Sequence, residues 1–145
     1  MPDGTVLAFD FGTKRIGVAI GNTLTGTARP LSVLKADNGS PDWDKLAALV
    51  AEWKPVQLLV GLPLNMDGSE SELSARARKF ANRLGGRLAL PVATVDERLS
   101  SFEARGELLR SNSRPGARPE VDALAATIIL ESWLAERSTG SGNHG

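Results

Sequence analysis

The stretch GTVLAFDFGTKRIGVAIG, residues 4–21, constrains this chain more than any other. Its apolar residues read as two β-strands, over 5–11 and 15–21, closed into an antiparallel hairpin across Gly12, Thr13 and Lys14. Asp10 nevertheless stands within the first strand, between Phe9 and Phe11. A carboxylate there is costly to bury without hydrogen bonds or a counter-charge. Its surroundings therefore say what the hairpin is for.

The rest of the chain supplies a sheet and its cover. Residues 27–35 read as a third strand, with Pro30 pushing it toward a sheet edge or a bulge. In SPDWDKLAALVAEW, Ser40 is the expected cap and Pro41 the first helical residue, with Asp42 and Asp44 at the positive end of the dipole. Trp43, Leu46, Ala47, Val50 and Trp53 then follow at helical spacing. VQLLVGLPL is a continuous apolar run of the kind buried on both faces of a sheet. A helix is expected over 70–84, with Leu73, Ala77, Phe80, Ala81 and Leu84 inward and Gly85 and Gly86 ending it. LPVATVDER is a fifth strand. A helix capped by Ser100 and Glu103 reaches about Arg110, and a last helix spans 120–136. This order predicts a three-layer α/β/α domain around a mixed sheet over residues 1–136, with 137–145 as a disordered tail.

Composition removes several chemistries. With 145 residues and no cysteine, a single core needs no disulfides, and thiolate catalysis and cysteine–zinc sites are excluded. The one histidine, His144, lies in the polar tail, so neither a catalytic histidine nor a histidine metal site is credible. No apolar run approaches the 18 residues of a membrane span and the N-terminus has no secretory pattern, so the cytoplasm is the expected compartment. Seventeen basic and seventeen acidic residues leave no overall cationic footprint.

Acids then stand out by position. Asp10 lies on the first strand, Asp96 and Glu97 at the carboxyl end of the fifth, and Asp122 in the first turn of the last helix. An open α/β sheet places its binding crevice at such strand ends. Three carboxylates brought together would raise one another's pKa unless a divalent cation intervened, and hard oxygen donors suit Mg²⁺ or Mn²⁺. Each also has a plain structural role. Asp10 could accept from turn amides or pair with Lys14 or Arg15, Asp96 or Glu97 could cap a helix, and Asp122 could compensate a dipole.

LAFDFGTKRIGVAIGN, LLVGLPLNMDG, VDERLSSFEA and VDALAATIILESWL resemble, in order, the motifs of the YqgF/RuvX family of RNase H-like nucleases. Its members are described as Holliday junction resolvase-like enzymes and pre-16S rRNA nucleases. The likeness covers about residues 5–135. It implies a five-stranded mixed sheet in the order 3-2-1-4-5, and a metal-dependent nuclease acting on RNA ahead of branched DNA; the rival reading is a non-catalytic RNA-binding assembly factor that retains the fold. By that resemblance Asp10, Glu97 and Asp122 are the catalytic and metal-binding acids, with Mg²⁺ or Mn²⁺ as cofactor. Arg15, Arg98, Arg114 and Arg118 are the expected phosphate contacts, and Trp133 is a candidate contact for a homodimer.

Two departures qualify the likeness. RuvC-type resolvases carry a fourth acid where this chain has Ala125, and the basic segment before the last helix is reduced to Arg110, Arg114 and Arg118. DFGT also resembles the phosphate turn of actin-like kinases, which need two lobes where this chain supplies one. The face formed by Gly17, Ala19 and Gly21 suits close helix packing. The run Arg76, Arg78, Lys79, Arg83 and Arg87 reads as a solvated helix face.

Overall fold

The first strand, β1 (Thr5–Asp10), alternates between two separate cores and so sets the layers of the molecule. The structure, a computed structural model, describes residues 4–65, 67–96 and 118–142, with backbone alone at 118–122 and 138–142. Leu7 and Phe9 face one core, which also takes Leu46 and Val50 of α1 (Trp43–Trp53) and Ala77, Phe80, Ala81 and Leu84 of α2 (Glu72–Leu88). Val6 and Ala8 face the other, filled by Ala126, Ile129, Leu130 and Leu134 of α3 (Arg118–Gly142). Helices on both faces of one mixed sheet give the three expected layers.

β1 pairs antiparallel with β2 (Arg15–Asn22), and β2 with β3 (Thr27–Asp37). On its other side β1 runs parallel to β5 (Gln57–Leu62), which runs parallel to β6 (Val92–Asp96). A two-residue strand, β4 (Ser40–Pro41), joins the edge at Ala36 and Asp37, so the described sheet has six strands in the order β4-β3-β2-β1-β5-β6. Without β4 this is the expected 3-2-1-4-5. Pro30 does accompany a bulge: Val18 pairs with Ser32 and Ala19 with Pro30, leaving Leu31 as the extra residue. β5 is buried along its whole length.

Several boundaries differ from expectation. Ser40 and Pro41 do not start α1. Asp42 is the cap, accepting from the amides of Asp44 (3.0 Å) and Lys45 (3.3 Å). Asn38 (φ 50°) and Gly39 (φ 87°) form the two-residue hairpin turn that binds β4 to β3. Positive φ at both central positions is what a type I′ turn requires. On α1, Ala47 is exposed and Leu49 joins Trp43 and Trp53 as partial cover for the core. α2 starts at Glu72 behind a reciprocal Ser71–Ser74 capping box. It runs through Gly85 and Gly86, ending at Ala89 in the left-handed conformation, because Leu88 still has core to cover. Leu73 is 38% exposed rather than inward. α3 extends beyond 120–136 at both ends, reaching Gly142 within the segment expected to be a tail. The expected 100–110 helix lies outside the described residues.

The hairpin turn also braces the turn after Asp10. Gly39 N–H donates to Thr13 O and Ala36 N–H to Lys14 O, both at 2.9 Å. A Cβ on Gly39 would lie 2.9 Å from Phe11 Cζ in a backbone region that L residues avoid. Gly39→Ala should therefore destabilise the protein by about 1–2 kcal/mol, measured by urea unfolding.

Candidate active site

β1, β5 and β6 run in one direction, so their carboxyl ends share one edge of the sheet, at Asp10, Leu62 and Asp96. This is the edge where open α/β sheets bind ligands. Asp10 is half-buried and follows Val6 and Ala8 onto the α3 face. Its cross-strand partner is Gly17. The parallel register from Phe9↔Val60 carries on to Gly61 on its other side. Asp10 is thus flanked on both neighbouring strands by residues without side chains. Gly12 makes the turn that follows possible, since a Cβ there would lie 2.5 Å from Arg15 O.

Arg15 opens β2 two residues before Gly17 and lies on the same face as Asp10, diagonal to it, a separation of roughly 7–8 Å in sheets. Lys35, exposed on β3, pairs with Arg15. An acid and two cations therefore share the α3 face at this edge. Asp96 does not join them. It pairs with Leu62, whose side chain belongs to the α1/α2 core, while Val95 belongs to the α3 core. Asp96 is accordingly on the opposite face from Asp10.

Gly21 fixes the seat of α3. A Cβ on it would lie 2.8 Å from Leu130 Cδ2 and 2.6 Å from Thr27 O. Close helix packing is therefore the role of this small-residue face at Gly21. Position 122 lies one turn before Ala126, which is fully buried against the sheet, and on the same side of the helix. The Asp122 side chain lies outside what is described, as do Glu97, Arg98 and Arg114. Arg118 is described in its backbone only, as the first residue of α3. Among the described residues no three acidic, histidine or cysteine side chains group as a metal site.

A basic cavity was missed in the sequence. Phe11, Asn38, Gly39, Ser40, Arg76, Lys79, Phe80 and Arg83 line a space of about 210 Å³ beside the turn after Asp10. The spacing of Arg76, Lys79 and Arg83 along one helix face, together with the Asn-Gly turn, was the available signal.

A mixed sheet in this order, covered by helices on both faces, is the RNase H-like arrangement expected of this chain. The family model described as RuvX, Holliday junction resolvase, matches residues 4–136, and the chain belongs to that family. A protein of Azotobacter vinelandii named "Putative pre-16S rRNA nuclease" is 58% identical over 136 residues, covering 93% of this chain and 96% of that one. One of Pectobacterium carotovorum with the same name is 58% identical over 135 residues, covering 92% and 97%. Among solved structures, Thermus thermophilus RuvC in complex with a Holliday junction aligns with a TM-score of 0.57 at 17% identity, over 93% of this chain and 96% of that one. The fowlpox virus Holliday junction resolvase aligns at 0.54 and 14%, over 91% and 99%. These two share the fold.

The tight seat of α3 is directly testable. Gly21→Ala should cost about 1–3 kcal/mol by overpacking against Leu130 and the Thr27 carbonyl. A chemical denaturation curve measures it, and a neutral result would show that α3 is not seated there.

Proposed function

We propose that this protein is a metal-dependent nuclease that hydrolyses phosphodiester bonds in RNA, in the maturation of the 5′ end of pre-16S rRNA. The observation that carries the reading is Asp10, on the α3 face at the carboxyl edge of the central strand, with Gly17 and Gly61 beside it. The curated relatives at 58% identity supply the RNA. Such a substrate puts the protein in the cytoplasm, and no described helix is long and apolar enough to cross a membrane. A resolvase acting on branched DNA is the second reading, favoured by the family description. Ala125, in place of the fourth acid of RuvC-type enzymes, counts against it.

The donor set fits a hard cation. Asp10, Glu97 and Asp122 offer only carboxylate oxygens, the ligands that Mg²⁺ and Mn²⁺ prefer. Asp10 would be the principal ligand, with Glu97 and Asp122 completing the set. Chain lengths are compatible with this. The helix between position 122 and Leu130 is roughly 12 Å long, close to the roughly 13 Å of strand between Val6, the partner of Gly21, and Asp10. Glu97 is bonded to Asp96, the last residue of β6 at the same edge. A bound cation there supplies a Lewis acid and an acidified water. Arg15 on the Asp10 face, with Arg98, Arg114 and Arg118, would hold the phosphate in line without reading its sequence.

Labelled RNA spanning the precursor's 5′ junction, tested beside a four-way DNA junction with Mn²⁺, should be the substrate that is cut. Asp10→Asn should abolish the cleavage. Cutting of the junction alone would favour the second reading, and cleavage in excess EDTA would overturn the mechanism.

Metal should also stabilise the folded chain by linkage, about 2.7 kcal/mol at a hundred times its Kd. The rise in Tm with Mg²⁺ or Mn²⁺ should vanish in Asp10→Asn and shrink in Glu97→Gln and Asp122→Asn. In EDTA, Asp10→Asn should melt at or above the wild-type temperature, because it relieves like-charge crowding. A loss of roughly 1–3 kcal/mol would make Asp10 a structural hydrogen-bond partner instead.

A further inference from the structure

We infer that the basic cavity between α2 and the Asn38–Gly39 turn is a second nucleic-acid contact, holding the phosphodiester backbone of the substrate strand after it crosses the sheet edge beside Asp10. This rests on the nuclease reading for its ligand. Its geometry is independent of the acids.

Three cations, Arg76, Lys79 and Arg83, enter the cavity from one face of α2, and among the described residues no acid lines it. Arg76 Nη1 donates to Asn38 Oδ1 at 3.0 Å, which fixes one guanidinium against the hairpin turn. Arg87 continues the row one turn later, its guanidinium carbon 4.4 Å from the Trp43 ring centroid. Like charges three and four residues apart oppose helix formation, so an unneutralised row of this kind costs stability. A bound polyanion removes that cost.

The row points to a repeating ligand. From Arg76 to Arg87 the helix rises roughly 16 Å, more than one phosphate group occupies. The floor is apolar, made by Phe11 and Phe80, whose ring centroids are 5.3 Å apart. Among the lining side chains only Asn38 and Ser40 are neutral and polar, so the cavity offers charge far more than base-reading groups.

Position ties the cavity to the candidate active site. Phe11, in its wall, is the residue after Asp10, and the two lie on opposite faces of the sheet. Gly39, in the same wall, donates to Thr13 O in the turn that follows Asp10 and Phe11. A strand cut at Asp10 has only that turn to cross before it meets Arg76, Lys79 and Arg83.

The test measures binding apart from cleavage. In an Asp10→Asn background, the affinity for a labelled single-stranded RNA is followed by anisotropy across a salt series. Each phosphate contact contributes a slope of roughly −0.7 in log affinity against log salt. Replacing Arg76, Lys79 and Arg83 with Ala should reduce the magnitude of that slope by about two and weaken binding at least tenfold at physiological salt. Two RNAs of unrelated sequence should lose equally. Lys79→Glu with Arg83→Glu, both at exposed positions, should give a similar or larger loss while a circular-dichroism melt stays near wild type. Arg78→Ala is the control. It lies off this face and pairs with Glu70 at 2.6 Å, so it should leave the slope unchanged.

An unchanged slope in both multiple variants, or an equal loss in Arg78→Ala, would overturn the site. Cavity-dependent binding by a wild-type protein that cuts neither RNA nor DNA would overturn the nuclease reading and leave the cavity standing. Active wild-type enzyme with unaltered binding in the variants would do the reverse.

Discussion

The strict two-residue alternation of β1 is the constraint from which the rest of the molecule follows. Leu7 and Phe9 require cover on one face and Val6 and Ala8 on the other, and the chain supplies α1 and α2 for the first and α3 for the second. The same alternation decides where Asp10 points. A shift of one residue would turn it toward Phe80 and the α1/α2 core and send Phe9 and Phe11 to the α3 face. There the carboxylate would meet hydrocarbon, and two aromatic rings would lose their places in the core. The register of β1 against β2 and β5 therefore decides which face of the sheet presents Asp10.

The α3 face makes two different uses of missing side chains. At Gly21 the absent Cβ lets Leu130 approach within packing distance, and the helix is seated firmly. At Gly17 on β2, four residues before Gly21, and at Gly61 on β5, the absent Cβ atoms flank Asp10. One end of the hairpin is closed by hydrocarbon and the other is left to a carboxylate.

Much of this was legible in the sequence because it depends on local patterns. The hairpin, the fully buried β5 and the bulge beside Pro30 follow from periodicity and from what proline does to a strand, whereas the strand order came with the family resemblance. The errors came where a local signal had two uses. Asn38-Gly39 is a strong hairpin signal, but the helix-start residues after it made Ser40 look like a cap. Gly85 and Gly86 looked like a stop, yet burial of Leu88 carries the helix past them. Asp10 was legible because a charge in an apolar strand needs a reason. Glu97 and Asp122 were not, since an acid near a helix start is usually an ordinary cap or dipole partner. They acquired roles only through the resemblance.

Net charge is a sum over the whole chain, whereas binding depends on where charges lie. Lys and Arg equal Asp and Glu in number, which suggests a weak attraction for nucleic acid. The fold separates them. Cations line one face of α2 beside the β1–β2 turn, and Arg15 and Lys35 lie at the same edge of the sheet. Salt screens charges beyond about 8–10 Å, so a bound strand responds to these neighbours and not to acids on the far side of the domain. A neutral chain can thus grip a polyanion locally while exerting little pull at a distance. That combination suits an enzyme that must hold a strand and release it afterwards.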